Sequence, residues 1–497
     1  MAVFVVPTSV SGTALALPFI GADTGAGLVP LQWVVNGFNV TFACFTLVWG
    51  SIADVIGRVR AFGLGAGIFA VASVISTSAT DIVILDVARG LAGIGGAAIF
   101  SCGSAIVSTV FNGQARTRAF ALFGTVAGVG ISFGPSLSGL LVDGLGWRWI
   151  FAVHALALGG VLLFLRAMGR VVPEPQRGGA PVDVLGSALF ILAMLLLTCG
   201  IVQGSQWEWT SPAVVGLLAG AAVVLALFVA VERRRDNPVL DLSLLANRRF
   251  LALSLVPVAG SFGFITMLTY LPTYLTTVGG HSGSMAGLLM VLLTAPMLIC
   301  PLIAAKLVSR GVPVLAVIYA SLLLLVVGVT CFTLFGAHMP VAAAALPMLL
   351  TGVGMALTAG LVDGAALEMV APEKAGMAAG LLNTLRLGSE AVAVAAYGSL
   401  LATFLSSAVS AGIGAFAATG DPAGVAGDVA AGDLDSATRA VAPLLRGPFT
   451  GFLISAYDSA FHDVVWVLAA ICLLILLAVA ALLRTGGRRT EKSRLLP

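Results

Sequence analysis

The stretch LLNTLRLGSEAV, residues 381–392, places an amide, a base and an acid inside an apolar run. Arg386 and Glu390 are four residues apart, so on a helix they lie side by side on one face. A carboxyl inside a membrane favours its protonated form, whereas a nearby arginine favours the ionised form. Glu390 therefore has the chemistry of a proton carrier. The alternative is a permanent Arg386–Glu390 pair that only fixes helix packing.

Two other charged residues lie within apolar runs. Asp363, in AGLVDGAALEMVAPEK, lies some two helical turns from the polar end of its segment and is predicted to be a second proton or cation site. Arg89 lies about 10 Å or more into its run, counted from Asp81 at helical rise. Because a lone arginine in hydrocarbon is costly, Arg89 must face protein or water. It either pairs with an acid or extends toward the outer interface, near Asp86.

Aromatic and amide side chains could form a pocket for a substrate, since aromatic faces attract cations. Trp and Tyr also concentrate at membrane interfaces, so for the tyrosines this second role stays open. A histidine can titrate near neutral pH, although a lone helical histidine is more often simply hydrogen-bonded. The candidate pocket residues are Trp33, Asn36, Tyr270, Tyr274, Asn383 and His154.

The composition is that of a membrane protein. Of the 497 residues, 59% are apolar and 9% are charged, against about 25% charged in soluble domains. The net charge of +3 does not favour nucleic acid as a partner. The six cysteines lie in apolar runs without a CxxC pair, so neither a disulfide nor a metal site is indicated. The first apolar run, which has no basic region or cleavage site, predicts a retained helix rather than a signal peptide.

Fourteen apolar runs are long enough to cross a bilayer, which takes about 20 residues. If both termini are cytoplasmic, most of the 25 Lys and Arg residues fall in cytoplasmic segments, as the positive-inside rule requires. An odd number of spans would destroy this bias. The predicted spans are 2–21, 31–53, 61–79, 82–108, 118–142, 148–168, 184–204, 212–232, 250–277, 284–308, 313–336, 341–370, 376–406 and 463–484.

A weak internal repeat predicts two halves. The loops GSIADVIGRVR, from position 50, and AAKLVSRGVPV, from position 304, each end an apolar run, carry a base and enter another span. Transporters are often built from such repeats. The predicted fold is an all-α membrane protein with six-helix bundles at 1–178 and 241–497 and an inserted helix pair at 179–240. A Gly/Ala-rich segment at about 408–462 is predicted to be an external loop with short interfacial helices.

Several motifs, taken together, resemble one family of transporters. GSIADVIGR resembles the Gly-x-x-x-Asp-x-x-Gly-Arg signature of the major facilitator superfamily. GTVAGVGISFGPSLSG, from position 124, resembles a glycine-rich antiporter signature ending in Gly-Pro. GWRWIF and AGMAAGLLNTLRLG resemble the fourteen-helix drug:proton antiporter branch, and the resemblance covers nearly the whole chain. It implies a proton-coupled secondary exporter in the inner (plasma) membrane that works by alternating access and confers multidrug efflux and antibiotic resistance.

The resemblance also assigns roles to particular residues. Asp54 accepts hydrogen bonds from a neighbouring helix N-terminus or pairs with a base, which closes the cytoplasmic side. The glycine-rich fifth helix packs closely and bends. Ser9 stands where relatives often carry an acid, and Glu390 stands where they carry a small uncharged residue. The resemblance implies a cytoplasmic gate of Gly50, Asp54, Gly57 and Arg58 and an antiporter helix with Gly130, Gly134 and Pro135. The predicted proton-coupling set, which rests on charges within the spans as well as on the resemblance, is Glu390, Asp363, Arg386 and Arg89.

The predicted cargo is a hydrophobic, in some cases cationic, small molecule. The predicted partners are this substrate, protons and membrane lipid, for a monomer without a cofactor. One alternative is a specific exporter of an endogenous metabolite, lipid or siderophore. The other is a membrane-embedded enzyme or receptor, which the sequence disfavours because it shows no metal cluster, G-x-S-x-G elbow or P-loop.

Overall fold

The structure is a computed structural model that describes residues 1–493 except 27, 173–182, 205–206, 208, 236–239, 241–242, 282, 337–338, 372–374, 417–420, 431, 433 and 440. Over these ranges the regular structure is helical and contains no strand, which confirms the predicted all-α fold. An apolar chain in lipid must satisfy its backbone groups internally, and a helix does so within one segment.

The first half of the chain and the inserted pair contain nine helices among the described residues. They are α1 (Ala2–Thr24), α2 (Leu28–Ile56), α3 (Arg58–Ser78), α4 (Ile82–Val110), α5 (Gly113–Leu145), α6 (Arg148–Leu163), α7 (Leu165–Val171), α8 (Val184–Gly204) and α9 (Pro212–Glu232). α2 and α3 both pack on α4, and α1 packs on α5.

The second half contains the remaining helices. They are α10 (Ser243–Ala246), α11 (Arg248–Gly260), α12 (Thr266–Thr277), α13 (Gly283–Thr294), α14 (Pro296–Ser309), α15 (Val314–Cys331), α16 (Val341–Thr358), α17 (Leu361–Leu367), α18 (Ala375–Gly412), α19 (Pro422–Ala430), α20 (Leu434–Thr438) and α21 (Arg446–Ser493). A π-helical turn, Ser261–Ile265, joins α11 to α12. α11, α15 and α18 all pack on α21.

In the described part of the chain, eleven helical segments are long and apolar enough to cross a membrane, or twelve if the pair α6–α7, bent by 45°, is one span. α1 and α5 occupy the positions of the first and fifth predicted spans. The chain is therefore a multi-pass membrane protein. The count of fourteen spans remains a prediction.

The two loops paired by their sequences each contain a glycine with a positive φ. Gly57, between α2 and α3, has φ 99°, and Gly311, between α14 and α15, has φ 96°. A side chain would strain the backbone at both positions. The domain division remains a prediction: its boundary at 178/179 and residue 241 lie outside the described residues.

The inserted pair packs beside the contact between the two halves. α8 contacts both α2 and α18, while α9 packs on α8. Phe190 and Met194 of α8 and Phe228 of α9 belong to one apolar core with Cys44 and Leu47 of α2. α8 therefore covers one side of the α2–α18 contact, which we call the α2–α18 seam.

The segment predicted as an external loop, about 408–462, contains several helices. α18 extends to Gly412, α19 and α20 follow, and α21 begins at Arg446. This start lies well before the span predicted from 463, so Asp458 and His462 are helical residues that precede the predicted span. The structure satisfies both: the Tyr274 hydroxyl donates to Asp458, and His462 Nε2 lies 2.9 Å from the Phe335 carbonyl oxygen.

Candidate functional site

Two ends of the molecule are distinguished by charge. α2 and α4 end, and α3 and α5 begin, near Arg58, Arg60 and Arg116, and we call this the basic end. The other end of the bundles is called the opposite end. α18 begins at the basic end, so Glu390 lies about 22 Å along the helix from Ala375.

The central charged contact joins α17 and α18. Arg386 Nη2 lies 2.7 Å from Asp363 Oδ1 and 2.9 Å from Oδ2. Asp363 is buried in the first turn of α17, where the helix dipole favours an acid. That turn exists because α16 stops at Thr358 and the chain restarts after Gly360, whose φ is 76°. The break therefore delivers a carboxylate to the arginine of α18.

Asn383 supports Arg386 from the preceding turn of α18. Arg386 Nη1 donates to Asn383 Oδ1 at 3.1 Å, and Asn383 Nδ2 donates to the Ala379 carbonyl at 3.1 Å. Ser389 donates to the Arg386 carbonyl and lies 2.8 Å from the Ser261 hydroxyl on the π-helical turn. Asn383 was predicted as a substrate residue; the structure places it as a support of the arginine.

Glu390 lies one turn beyond Arg386 on the same helix and is half-buried. Among the described residues it has no hydrogen bond or ion pair, whereas Arg386 pairs directly with Asp363. The alternative of a permanent Arg386–Glu390 pair is therefore wrong for this structure. Asp363 and Glu390, which the sequence offered as alternative proton carriers, instead both lie near the same arginine.

Arg89 is fully buried in the N-terminal half, at 1% exposure, so the predicted extension to the interface is wrong. Its Nε donates to the Val34 carbonyl at 2.9 Å and its Nη1 to the Ser9 hydroxyl at 2.7 Å. The guanidinium carbon lies 4.6 Å from the centre of the Phe38 ring and 5.6 Å from that of Phe151. No carboxylate among the described residues pairs with it. Neutral oxygens and aromatic faces stabilise its charge instead.

His154 lies near this arginine, inside the N-terminal bundle. It is 5% exposed, and its Nε2 is 3.4 Å from the Thr8 hydroxyl, which itself donates to the Val5 carbonyl at 2.8 Å. Its Nδ1 has no partner among the described residues. The ring packs edge-on against Phe69. These contacts tie α1 to α6 and α3.

The two halves meet at the basic end through Asp54. Its Oδ1 lies 3.2 Å from Arg58 Nη2, and its Oδ2 accepts the backbone N–H of Met377, in the first turn of α18, at 3.2 Å. Arg58 also donates to the hydroxyl of Thr109 on α4. Gly57 supplies the positive φ that starts α3. Asp54 thus accepts from a neighbouring helix N-terminus, the geometry that the motif implies.

Glycines bring the helices together around this contact. Gly50 is buried in α2, near the end that carries Asp54. A Cβ on Gly380 of α18 would lie 2.7 Å from the Leu47 Cα of α2. A Cβ on Gly360 would lie 2.0 Å from the Phe120 carbonyl oxygen of α5. The backbones of the two halves therefore touch at the basic end.

The glycines of α5 pack on both halves. A Cβ on Gly130 would lie 2.8 Å from the Phe4 carbonyl oxygen, and one on Gly134 would lie 2.1 Å from the Ser11 hydroxyl, both on α1. Gly128 packs equally closely on Met297 of α14. Pro135 lies within α5, which continues through it to Leu145. α5 thus packs on the N-terminal bundle through some glycines and on the C-terminal bundle through others.

The aromatic candidates differ in accessibility. Trp33 and Asn36 are half-buried on α2, toward the opposite end. The Tyr270 hydroxyl donates to the Val394 carbonyl at 3.0 Å, and the Tyr270 ring stacks on Tyr397 at 4.1 Å. Tyr274 is 1% exposed. Both tyrosines are therefore engaged inside the C-terminal bundle.

The sequence analysis did not identify Tyr397, Tyr457 and Asp458, which lie toward the opposite end of the C-terminal bundle. The available signal was Asp458 and His462, four residues apart inside what proved to be a helix. Among the described residues, no group of three or more His, Cys, Asp or Glu side chains could hold a metal ion.

Comparisons with known proteins agree with this architecture. The Major Facilitator Superfamily profile matches residues 1–394. The chain is 34% identical over 397 residues to the multidrug resistance protein Stp of Mycobacterium tuberculosis, covering 79% of this chain and 72% of Stp. It is 31% identical over 418 residues to the drug efflux pump JefA of the same species, covering 82% and 80%. It is 31% identical over 420 residues to a probable actinorhodin transporter of Streptomyces coelicolor, covering 80% and 70%.

Solved structures share the fold. The human organic anion transporter MFSD10 superimposes with a TM-score of 0.57 at 15% identity, covering 96% of this chain and 97% of that one. A bacterial homologue of the human lysosomal transporter Spinster gives 0.52 at 16% identity, covering 97% and 95%. The family predicted from the motifs is confirmed. The chain belongs to the Major Facilitator Superfamily, whose members are membrane transporters and not enzymes.

Proposed function

We propose that this transporter exports hydrophobic small molecules, cations included, in exchange for protons. Its relatives Stp and JefA are named for multidrug resistance and drug efflux, which supports the class of cargo. The single observation that carries proton exchange is Glu390. This acid lies beside Arg386, yet that arginine is already paired with Asp363.

The charges of these three residues explain how one proton is exchanged for one cation. Arg386 and Asp363 neutralise each other, so an ionised Glu390 leaves one net negative charge in a half-buried site. Such a charge is costly away from water. A proton or a cationic substrate can neutralise it, and binding of one displaces the other. Glu390 is the proton carrier in this scheme, and Asp363 holds the arginine that keeps its ionised form accessible.

Alternating access follows from the contact at the basic end. We propose that this end is cytoplasmic, with both termini, since positive segments stay inside. Asp54 and Met377 then close the cytoplasmic side, and separating them opens the cavity inward. The close glycine contacts of α5, including Gly130 and Gly134 near Pro135, allow the halves to rock. We place the transporter in the plasma membrane as a monomer without a cofactor.

The proposed substrate contacts follow accessibility. Trp33 and Asn36 are half-buried, and we propose that they contact the cargo. Tyr270, Tyr274, Asn383 and His154 are occupied by internal contacts, and we propose that they shape the pocket. Each proton supplies about 1.4 kcal/mol per pH unit. Because exchange of one proton for one monovalent cation moves no net charge, the membrane potential adds about 2.3 kcal/mol per charge per 100 mV only when the cargo is neutral.

The test is transport by purified protein in proteoliposomes under an imposed proton gradient. The panel contains ethidium, puromycin and actinorhodin. For each compound, both its flux and the lumenal pH are recorded. We expect wild type to couple the two fluxes. Glu390→Gln should bind substrate but lose proton exchange, while Glu368→Gln, an exposed acid at the end of α17, should behave as wild type. Normal coupling in Glu390→Gln would refute the role of Glu390 and favour Asp363.

A specific exporter is the second candidate function, because one relative is named for a single compound, actinorhodin. The same panel separates the two. Flux of chemically unrelated compounds supports a multidrug transporter. Flux of one compound alone supports a specific exporter of a metabolite, lipid or siderophore.

A further inference from the structure

Four of the five tyrosines in the chain converge inside the C-terminal bundle. Tyr270 of α12 stacks on Tyr397 of α18, with ring centres 4.1 Å apart and planes at 11°. Tyr274, one turn further along α12, has its ring centre 6.1 Å from that of Tyr457 on α21. We call these four residues the tyrosine cluster. Three helices that are distant in sequence contribute to it.

Two hydroxyls of this cluster lack a partner. Tyr397 and Tyr457 are both 0% exposed, and neither hydroxyl has a hydrogen-bond partner among the described residues. Buried polar groups in proteins almost always bond to something, and internal water is the usual partner in a polar interior. An interior that needed only apolar packing would have phenylalanine at these positions. The hydroxyls therefore indicate a hydrated polar path.

At the opposite end, this path begins at Asp458. Its Oδ1 accepts the Tyr274 hydroxyl and lies 3.9 Å from His462 Nε2. The Asp458 and His462 side chains are 27% and 26% exposed, so water reaches them. Other titratable groups on helices that pack here are Asp463 of α21, Asp428 of α19 and Tyr319 of α15. Among Asp428, Asp458 and Asp463, only Asp458 is hydrogen-bonded to the tyrosine cluster in the described part of the chain.

From the tyrosine cluster, Glu390 lies about two turns back along α18, counted from Tyr397. Positions 390, 394 and 397 of α18 follow the i, i+4, i+7 spacing of a single helical face. The Tyr270 hydroxyl donates to the Val394 carbonyl. Val394 lies one turn beyond Glu390, and its carbonyl oxygen points along the helix toward Gly398, near the level of Tyr397. Gly398 leaves room for this contact, since a Cβ there would lie 2.8 Å from the Tyr270 hydroxyl oxygen.

We propose that the tyrosine cluster is the route by which protons from the opposite end reach Glu390, with Asp458 as its entrance. The proposal rests on the proposed function of Glu390. A proton taken up by the Asp458 carboxylate reverses its hydrogen bond with Tyr274, which then passes its own proton onward. Each hydroxyl or water accepts one proton and releases another, so the net result is one proton moved from bulk water to Glu390.

The test measures the arrival of the proton without a substrate. Oriented membrane vesicles are exposed to a rapid fall in pH on the side of the opposite end. The infrared carbonyl band of a protonated carboxylic acid is followed in time. The band that is absent in Glu390→Gln reports Glu390. Asp458→Asn, Tyr397→Phe and Tyr457→Phe should each slow its appearance by about tenfold, the cost of one lost hydrogen-bonding group.

Matched variants keep the result specific. Asp463→Asn, an exposed acid on the same helix, and Tyr319→Phe, outside the cluster, should leave the rate unchanged. When the pH instead falls on the side of the basic end, the Glu390 band should appear at the wild-type rate in the Asp458, tyrosine and control variants. That result excludes general destabilisation. If Asp458→Asn does not fold, each tyrosine variant tests the route separately.

The two possible failures are distinguishable. No band in wild type that depends on Glu390 would refute the proposed function itself. A normal band with wild-type rates in Asp458→Asn and both tyrosine variants would refute the route alone.

Discussion

Each half of the transporter has an arginine inside its helical bundle, Arg89 and Arg386, and the two are stabilised in different ways. Arg386 in the C-terminal half binds both oxygens of Asp363, with Glu390 one turn away. Arg89 in the N-terminal half donates to Ser9 and the Val34 carbonyl and lies against aromatic rings. Both halves are helical and have a positive-φ glycine at corresponding turns, but of these two arginines only Arg386 pairs with a carboxylate among the described residues.

This difference bears on where protons are carried. Among the described residues Arg89 has only neutral partners, whereas Arg386 lies beside two acids, Asp363 and Glu390. We infer that the N-terminal half supplies a fixed positive charge and a frame, while the C-terminal half carries the groups that change protonation. Four predictions test or refine this comparison.

The largest effect is expected from breaking the Arg386–Asp363 pair. Arg386→Met leaves a buried carboxylate without its partner, so we expect the free energy of unfolding to fall by about 3–5 kcal/mol. Asp363→Leu should cost a similar amount. The double variant should cost much less than the sum, because neither member of the pair is left without its partner. The measurement is equilibrium unfolding in mixed detergent micelles; additive costs would show that the pair is not coupled.

The same substitution in the other half should cost less. Arg89→Met leaves only a hydroxyl and two carbonyls without a donor, so we expect a loss of about 1–2 kcal/mol in the same unfolding assay. Proton exchange should keep its Glu390 dependence. A loss as large as that of Arg386→Met would contradict the comparison, since it would show that Arg89 has a charged partner.

Alanine substitutions at Gly57 and Gly311 should lower the free energy of unfolding by similar amounts, because both turns have a glycine with a positive φ. Alanine at either position is forced to a φ near 99° or 96°, and we expect each change to cost about 1–2 kcal/mol. Gly67→Ala in α3 is the control, since nothing lies within 4 Å of its Cβ position. Clearly unequal costs for the two turns would argue against the internal repeat.

The smallest effect on stability is expected at the contact between the halves. Asp54→Asn weakens the ion pair with Arg58 and the acceptance of the Met377 N–H, a loss of about 1 kcal/mol or less. The population open at the basic end should nevertheless rise several-fold, as seen by faster cysteine labelling of the α2–α18 seam. Asp23→Asn removes an ion pair with Arg148 within one half and should leave labelling unchanged. Equal labelling in both variants would remove Asp54 from the gate.

The elements were more predictable than their contacts. Hydropathy located the helices because lipid forces the backbone of each apolar run to bond within itself. α21 begins before the span predicted from 463, and its Asp458 and His462 contact Tyr274 and Phe335, which lie far away in sequence. Arg89 was expected to pair with an acid or reach the interface. Among the described residues it does neither, and nothing in a linear pattern shows that Ser9 and two aromatic rings lie around it.

The sequence by itself determined an all-helical membrane transporter of the Major Facilitator Superfamily, with acids and arginines inside its spans. These properties depend on composition, local spacing and short motifs, which act within one or two helical turns. Only the tertiary structure decided that Arg386 pairs with Asp363, that Glu390 is left beside that pair, and that four tyrosines meet near Asp458. Those facts depend on which helices pack together, and packing joins residues whose separation along the chain carries no information about their distance in space.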